Sequence, residues 1–401
     1  MSIKNYDTDV VVIGAGIHGT GVAQAVVAAG YSVILCEKSE IGLATSSKSS
    51  KLIHGGLRYL ESFQISLVRS CLKERALLLE NAPSLVKLVP FFIPVYRTTK
   101  RRPWQINIGL WIYNLLSGFK SPFNKIPLSQ WDELSGLSRD NLEAVFQYYD
   151  AQTDDVLLTR AVAASARLLG AQILTNATVT GCEIDSSGCV VEIRSSNSVT
   201  KYHCRVVVNA SGSAVNQILK LCKPVQKELA VDLVQGAHIV LNRPAKQGVF
   251  YLESPSDKRA VFVMPWKDRT LVGTTETRIE DNTGSPSPFP YEVEYLLTVY
   301  NYYFKNEKAS ISDVLESFAG LRVLPHDAKS LFARGRDTIL LADSDSHPRL
   351  VTIYGGKLTA YRATADRVLQ KILNSLPQGV SPRASTDNLK LNCDAGQDPV
   401  Y

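Results

Sequence analysis

The chain has 401 residues, 45% of them hydrophobic and 20% charged, with a formal net charge of +6. That length exceeds one simple core and suits two lobes of a soluble globular protein. The modest positive excess fits an anionic ligand or an acidic membrane surface, and the absence of a basic track interleaved with aromatics excludes a nucleic-acid partner as the expectation.

Met1 to Asp9 is polar and carries no apolar leader. Asp9 to Ile13 is a β-branched run of the kind that forms a buried parallel strand. Gly14-Ala15-Gly16-Ile17-His18-Gly19 follows at once. Thr20 to Ala29 then reads as a small-residue helix stopped by Gly30, and Tyr31 to Cys36 as a second strand with Glu37 at its end. Each glycine has a mechanical reason. Gly14 permits the tight turn, Gly16 admits a pyrophosphate to the backbone, and Gly19 lets helix and strand pack closely. The helix N-terminus faces the phosphates, and Glu37 stands where a carboxylate accepts from a ribose. His18 is assigned no role. The motif in this strand–helix–strand order marks a dinucleotide fold, while NAD and FAD both remain open from it.

The segment Ala44 to Leu60 (Ala-Thr-Ser-Ser-Lys-Ser-Ser-Lys-Leu-Ile-His-Gly-Gly-Leu-Arg-Tyr-Leu) gathers hydroxyls, cations, one histidine and a Gly-Gly turn. It suits an anionic cofactor and an anionic substrate meeting at one place. Ile65 to Leu79 is a helical stretch, and residues 88–149 mix aromatic, basic and proline-bearing segments. Within them, residues 97–120 set a basic cluster beside Trp104, Trp111, Ile112, Leu115, Leu116 and Phe119. This reads equally as a peripheral membrane anchor or as a core helix with a basic first turn. Asp154 to Leu169 looks like a long helix. Ala171 to Thr180, Val190 to Arg194 and Arg205 to Val208 read as strands, and Asn209 to Gly212 as a sharp turn.

From Gln235 to Glu276 the pattern turns to antiparallel strands: Ala237 to Leu241, Val249 to Leu252, Ala260 to Met264 and Thr270 to Gly273. Tyr291 to Asn306 reads as a helix. Leu350 to Tyr354 is a further buried strand, followed by Gly355-Gly356-Lys357 and a helix from about Leu358 to Leu376. Pro377 to Tyr401 is polar and is expected to be loose or lightly docked. The predicted class is α/β (α+β overall). A discontinuous Rossmann-like lobe takes 1–60, 150–232 and 337–376. An antiparallel-sheet cap takes 61–149 and 233–336, with 377–401 as a tail.

Seven cysteines, Cys36, Cys71, Cys182, Cys189, Cys204, Cys222 and Cys393, show no Cys-x-x-Cys spacing. An odd number without that spacing points away from a disulfide framework and from a metal site, and toward a reducing, cytoplasmic compartment.

The chain resembles FAD-dependent glycerol-3-phosphate dehydrogenases, within the D-amino-acid-oxidase-like flavoproteins. The resemblance is carried by Gly14 to Gly19, Ala44 to Leu60, Gly320-Leu321-Arg322, and Gly355-Gly356-Lys357-Leu358-Thr359-Ala360-Tyr361-Arg362. Gln235 to Val240 and Gly273-Thr274-Thr275-Glu276 are similar as well. It runs from about residue 8 to about 368. Two departures are Val323 after Arg322, where the family has proline, and Ala360, where it has threonine. The family generally carries a further C-terminal helical domain, and the resemblance implies a chain lacking it here.

What the resemblance implies is oxidation of the C2 hydroxyl of sn-glycerol 3-phosphate to dihydroxyacetone phosphate, with hydride passing to flavin N5. The protein then supplies orientation and charge. His54 is the first candidate base and His238 the second. Arg58, Tyr59, Arg322, Arg336 and Lys357 are the candidates for substrate binding, with Arg334 a rival to Arg336 and Arg322 able to polarise the C2 oxygen. The implied FAD contacts are Gly14, Gly16, Gly19, Glu37, Lys38, Thr45, Ser46, Ser50, Lys51, Leu52, His54, Val179, Ala210, Gly212, Gly356, Lys357, Leu358 and Thr359. Two alternatives stay open: a flavin oxidase or dehydrogenase of another small hydroxy or amino acid, and a non-catalytic flavin-bound subunit. The electron acceptor (quinone or another) and a homo-oligomer are likewise open. The expected location is the cytoplasm, with peripheral contact at the inner face of the cell membrane.

Overall fold

A computed structural model describes residues 6–134, 136–196, 198–280, 286–326 and 338–392. Two sheets organise them. The first is built on five parallel strands in the order Gln172–Leu174, Val33–Cys36, Thr8–Ile13, Ser198–Asn209 and Leu350–Tyr354. The β-branched runs of Thr8–Ile13, Val33–Cys36 and Leu350–Tyr354 are buried on both faces, as a parallel sheet covered on both sides requires, while Gln172–Leu174 forms its more exposed edge. Ile17–Ala28 packs against Asp155–Leu168 and Tyr361–Ile372 on one face. Ile339–Ala342 closes one edge antiparallel to Leu350–Tyr354.

The strand Ser198–Asn209 serves two pairings. Its second half lies in the parallel sheet, and its first half joins an antiparallel meander with Gly188–Ser195 and Ala177–Asp185. The expected strand Ala171 to Thr180 is therefore two strands. Asn176 breaks it with φ +51°, and its amide is turned to the Ser39 carbonyl at 3.1 Å. Asparagine tolerates this left-handed geometry better than most residues.

The second sheet has ten strands. Val231–Pro244 is its long spine, paired antiparallel with Val314–Pro325, Arg269–Gly273 and Thr277–Ile279. Ala260–Trp266, Val249–Glu253, Val86–Tyr96 and Leu142–Thr153 continue it, with Phe123–Lys125 paired to the last of these. Leu52–Ile53 adds to Leu142–Thr153, so the hydroxyl-rich loop ends inside the second sheet. The region 88–149 thus contains two long strands that its composition conceals. Pro90 and Pro94 interrupt the first as a sequence, yet both sit opposite partners, Tyr149 and Val145. Prolines lack only the donor, so a strand tolerates them where no neighbour needs that donor.

The tail is docked rather than loose as far as Asn392. The Arg383 and Ala384 amides donate to the Ala28 carbonyl at 2.7 and 3.1 Å, and the Leu391 amide donates to the Asn81 carbonyl at 2.7 Å. Gly30, at φ +101°, has no room for a side chain because the Ser381 carbonyl lies against it. Leu391 is buried. Side chains hold it as well: Arg362 pairs with Asp387 at 2.7 Å, and Arg383 Nη1 donates to the Leu169 carbonyl.

Candidate functional site

The nucleotide end is assembled mainly within residues 14–39, with Ala210 closing on it from the end of strand Ser198–Asn209. Gly14 adopts φ +97°, and a Cβ there would stand 2.8 Å from the Ala210 carbonyl oxygen. A Cβ on Gly19 would lie 1.8 Å from the Gly14 carbonyl oxygen. Only glycine lets helix Ile17–Ala28 approach the strand this closely. Glu37 closes the cradle: Oε2 accepts from the Ala15 amide at 2.8 Å, and Oε1 accepts from the Ser39 amide at 3.0 Å. Its remaining lone pairs can accept from a ribose. Val179 is buried on the strand beside Glu37, Gly212 (φ +60°) turns next to Ala210, and Lys38 is exposed at the rim.

The segment from Thr45 onward draws its partners from far away. Thr45 Oγ1 donates to the Leu321 carbonyl at 2.9 Å. Ser46 Oγ accepts from the Ile17 amide at 2.9 Å, at the mouth of the glycine cradle. Ser49 Oγ and Lys51 Nζ both donate to Asp155, at 2.6 and 2.7 Å. Ser50 Oγ lies 2.9 Å from His238 Nε2. Leu52 is buried in the second sheet. The side chains of Ser50 and Lys51 are thus engaged by protein groups, and Lys51 also stands over the rings of Phe318 and Trp266. Burial pushes the Asp155 carboxyl up and Lys51 opposes the shift. Removing either partner would leave a charge stranded in the interior.

Beyond this segment lies a cavity of about 100 Å³. His54, Arg58, Tyr59, Arg322, Arg259, Glu276 and Thr274 line it together with aromatic walls. Arg322 Nη1 pairs with Glu276 at 3.3 Å, and Nη2 donates to Thr274 Oγ1 at 3.0 Å. Gly236 makes room for this guanidinium, since a Cβ there would meet Nη2 at 2.6 Å. The His54 amide donates to Thr359 Oγ1 at 3.2 Å, which ties the cavity wall to the turn at Gly355 and Gly356. Lys357 stands 3.9 Å from the centre of the Tyr59 ring, and its buried Nζ has no hydrogen-bond acceptor among the described residues.

The two candidate bases occupy different environments. His54 lines the cavity and is half-buried. His238 is fully buried, stacked on Phe318, and absent from the cavity wall. Burial holds its pKa down to about 3, and the cations Arg322 and Lys51 add to the shift. Gly273 is what admits the ring, because a Cβ there would stand 2.0 Å from His238 Cδ2. His18, given no role from sequence, packs its ring on Gly356 with Nδ1 unpartnered, and burial lowers it to about 4. Arg336 and Arg334 lie outside the described residues.

Sequence reasoning missed Glu276, Thr274, Arg259 and Asp155. From sequence, Gly273 to Glu276 is the end of a strand-rich run and part of a resemblance, and Asp155 is only a position in the helix expected from Asp154. Asp154 is in fact the N-cap, accepting from the Val156 and Leu157 amides, which frees Asp155 to face Ser49 and Lys51. Two adjacent aspartates at a helix start are the signal that could have shown it.

The residues present fit a flavin dinucleotide. The N-cap Gly16 brings no side chain of its own to the N-terminus of helix Ile17–Ala28, whose first turn carries no acid, and the neutral Ser46 hydroxyl is what meets the Ile17 amide there. The acceptor-less Lys357 ammonium, beside a half-buried turn, suits a nearby anionic group. Gly356, Leu358 and Thr359 form that turn.

The sequence matches the family described as FAD dependent oxidoreductase (DAO) over residues 9–362. It is 34% identical over 375 residues to D-erythritol 1-phosphate dehydrogenase of Brucella abortus (strain 2308), covering 92% of this chain and 74% of that protein. It is 35% identical over 381 residues to aerobic glycerol-3-phosphate dehydrogenase of Escherichia coli (strain K12), covering 93% and 75%. The fold is similar to that of glycerol-3-phosphate dehydrogenase from Bacillus halodurans complexed with FAD, with a TM-score of 0.75, 25% identity, and 98% of this chain and 68% of the other covered. Cradle, cavity and comparisons agree: the chain belongs to the DAO family of FAD-dependent oxidoreductases and is an enzyme of the glycerol-3-phosphate dehydrogenase-like type.

Proposed function

We propose that the chain oxidises sn-glycerol 3-phosphate at C2 to dihydroxyacetone phosphate. The observation that carries this is the cavity itself, which Arg58, Arg322 and Arg259 line together with His54. Arginine forks suit a phosphate dianion, each charge-assisted bond contributing roughly 1.5–3 kcal/mol. Arg322 is tempered by Glu276, so its charge is oriented rather than free to swing. His54 takes the hydroxyl proton, since it reaches the cavity and His238 does not. FAD, when bound, accepts the hydride. Arg322 in the cavity wall and Lys357 behind Tyr59 are the cations that would hold negative charge near the site.

The relative named for D-erythritol 1-phosphate favours a second reading, a longer polyol phosphate extending along the walls of Tyr251 and Phe262. One anaerobic titration separates these. Bleaching of the flavin band by glycerol 3-phosphate supports the first reading. Bleaching only by a longer polyol phosphate supports the second, and bleaching only by a hydroxy acid or an amine overturns both. No bleaching by any of them leaves a non-catalytic flavin protein. His54→Ala is expected to slow flavin reduction, and a normal rate would remove it as the base.

We further propose a peripheral membrane contact, on the inner face of the cell membrane, through helix Pro103–Leu116. Trp104, Ile108, Trp111 and Leu115 fall on one face at 63%, 52%, 56% and 45% exposure, with Phe119 beyond them at 66%. Leu110 and Tyr113 are its buried residues. An apolar face with basic residues alongside suits anionic lipid and a quinone acceptor dissolved in it. Flotation with anionic phospholipid vesicles tests this, and Trp104→Ser with Trp111→Ser should abolish it. No helix among the described residues is long and apolar enough to cross a membrane.

A further inference from the structure

Beneath the His54 turn lies a buried polar chain that substrate cannot reach. The Gly55 amide donates to Tyr113 Oη at 2.8 Å. The Tyr113 hydroxyl in turn donates to Asp150, 2.7 Å from Oδ2 and 3.0 Å from Oδ1. Arg75 Nη1 donates to Asp150 Oδ1 and, at 3.0 Å, to the Tyr149 carbonyl, while Nη2 donates to Ser121 Oγ. Tyr113, Asp150 and Arg75 are all at most 3% exposed.

The turn is pressed onto this group. A Cβ at Gly55 would stand 2.4 Å from Tyr113 Oη and 2.6 Å from a Leu72 methyl. A hydroxyl has one proton. Asp150 takes that proton, so the lone pairs of Tyr113 are turned to the Gly55 amide. Burial raises the Tyr113 phenol well above its usual range, and Asp150 adds to the shift, so the proton stays in place at working pH. Asp150 needs Arg75 in return, because an unpaired carboxylate at this depth is costly. The adjacent amide, that of His54, is held by Thr359 Oγ1. Two successive amides are thus fixed by partners far away in sequence, which sets the direction of the His54 side chain between them.

A phenylalanine at 113 would fill the same space. The hydroxyl is required by the Gly55 amide and by Asp150, not by packing. We propose that Tyr113, oriented by the Asp150–Arg75 pair, is a positioning residue that aims His54 into the cavity. The inference rests on His54 acting as the base. Misplacement of about 1 Å can slow a reaction by as much as 10²-fold, so an effect through geometry alone is measurable.

The test compares the flavin-loaded wild type with Tyr113→Phe, His54→Ala and the double variant. Flavin reduction by glycerol 3-phosphate is followed anaerobically, with rates taken per bound flavin. Tyr113→Phe is expected to cut the limiting rate about tenfold with the half-saturating substrate concentration within about twofold, because Arg58 and Arg322 are untouched. In the His54→Ala background it should add nothing. Amide hydrogen exchange across residues 54–59 should rise in Tyr113→Phe, a readout independent of turnover. A normal rate and normal exchange in Tyr113→Phe, beside a slow His54→Ala, overturns this inference alone. Equal slowing in both backgrounds also overturns it, since Tyr113 would then act elsewhere. A normal His54→Ala removes the base assignment and this inference with it. Should Tyr113→Phe fail to hold FAD, Ser121→Ala loosens Arg75 more gently; faster exchange at Gly55 supports the inference and unchanged exchange overturns it.

Discussion

The cradle at Gly14 to Glu37 and the cavity beyond Thr45 are built in opposite ways. In the cradle most contacts join residues close in sequence: Glu37 reaches Ala15 and Ser39, and Gly19 presses on Gly14. In the cavity the contacts are long-range: Ser49 to Asp155, Ser50 to His238, His54 to Thr359 and Gly55 to Tyr113. The first is a local motif that any suitable strand and helix can carry. The second exists only once both sheets have formed. Cofactor uptake should therefore respond to single local changes, and substrate handling to changes spread across the chain.

The sharpest way to break that comparison is at Gly19. Gly19→Val places atoms where the Gly14 carbonyl stands, and should abolish FAD uptake, read as loss of the visible flavin band in purified protein. Retention of full flavin would end the local account of the cradle. Asp155→Ala leaves Lys51 buried without its anion and should cost about 3–5 kcal/mol of stability by denaturant titration. A change under about 1 kcal/mol would put Lys51 in contact with water. Arg322→Ala should weaken substrate capture roughly 10–100-fold while FAD stays bound, the equivalent of about 1.5–3 kcal/mol. Equal loss of flavin and substrate would show that the two regions are not separable.

The smallest effect concerns pH. The folded pKa of His238 is near 3 and that of His18 near 4, both below the ordinary value of 6.5. Between these values the unfolded chain binds more protons, so stability is full above 6.5 and falls as pH drops toward 4 and 3. From pH 6.5 to 5 most carboxylates remain ionised, and the loss there should be on the order of 1–2 kcal/mol per histidine. His238→Gln should flatten that limb of the stability–pH curve relative to wild type. An unchanged slope would mean that His238 is as solvated in the fold as out of it.

The same contrast explains what could be read from residues alone. The strand Thr8–Ile13, the glycines and Glu37 are legible because periodicity and turn chemistry act over a few residues. His54, Arg58 and Arg322 were reached through a resemblance in their flanking motifs, not through spacing. Glu276, Arg259 and Tyr113 were not reached, because what they do depends on which strands meet. Pro90 and Pro94 misdirect for a related reason: whether a proline interrupts a sheet depends on its neighbours' hydrogen bonds, which the strand itself does not reveal. The docked tail was hidden because its partners are far away in sequence, at the backbone carbonyls of Ala28 and Asn81 and at the Arg362 guanidinium beside Asp387.

The run from Thr45 to His54 stitches the two sheets together. It is tied to Leu321 and His238 on one side and to Ile17, Asp155 and Thr359 on the other. Parting the sheets would break these ties in turn, each at about 0.5–1.5 kcal/mol. Passage of small molecules without such parting is then the less costly route, and on it turnover is expected to depend little on solvent viscosity beyond that of simple diffusion.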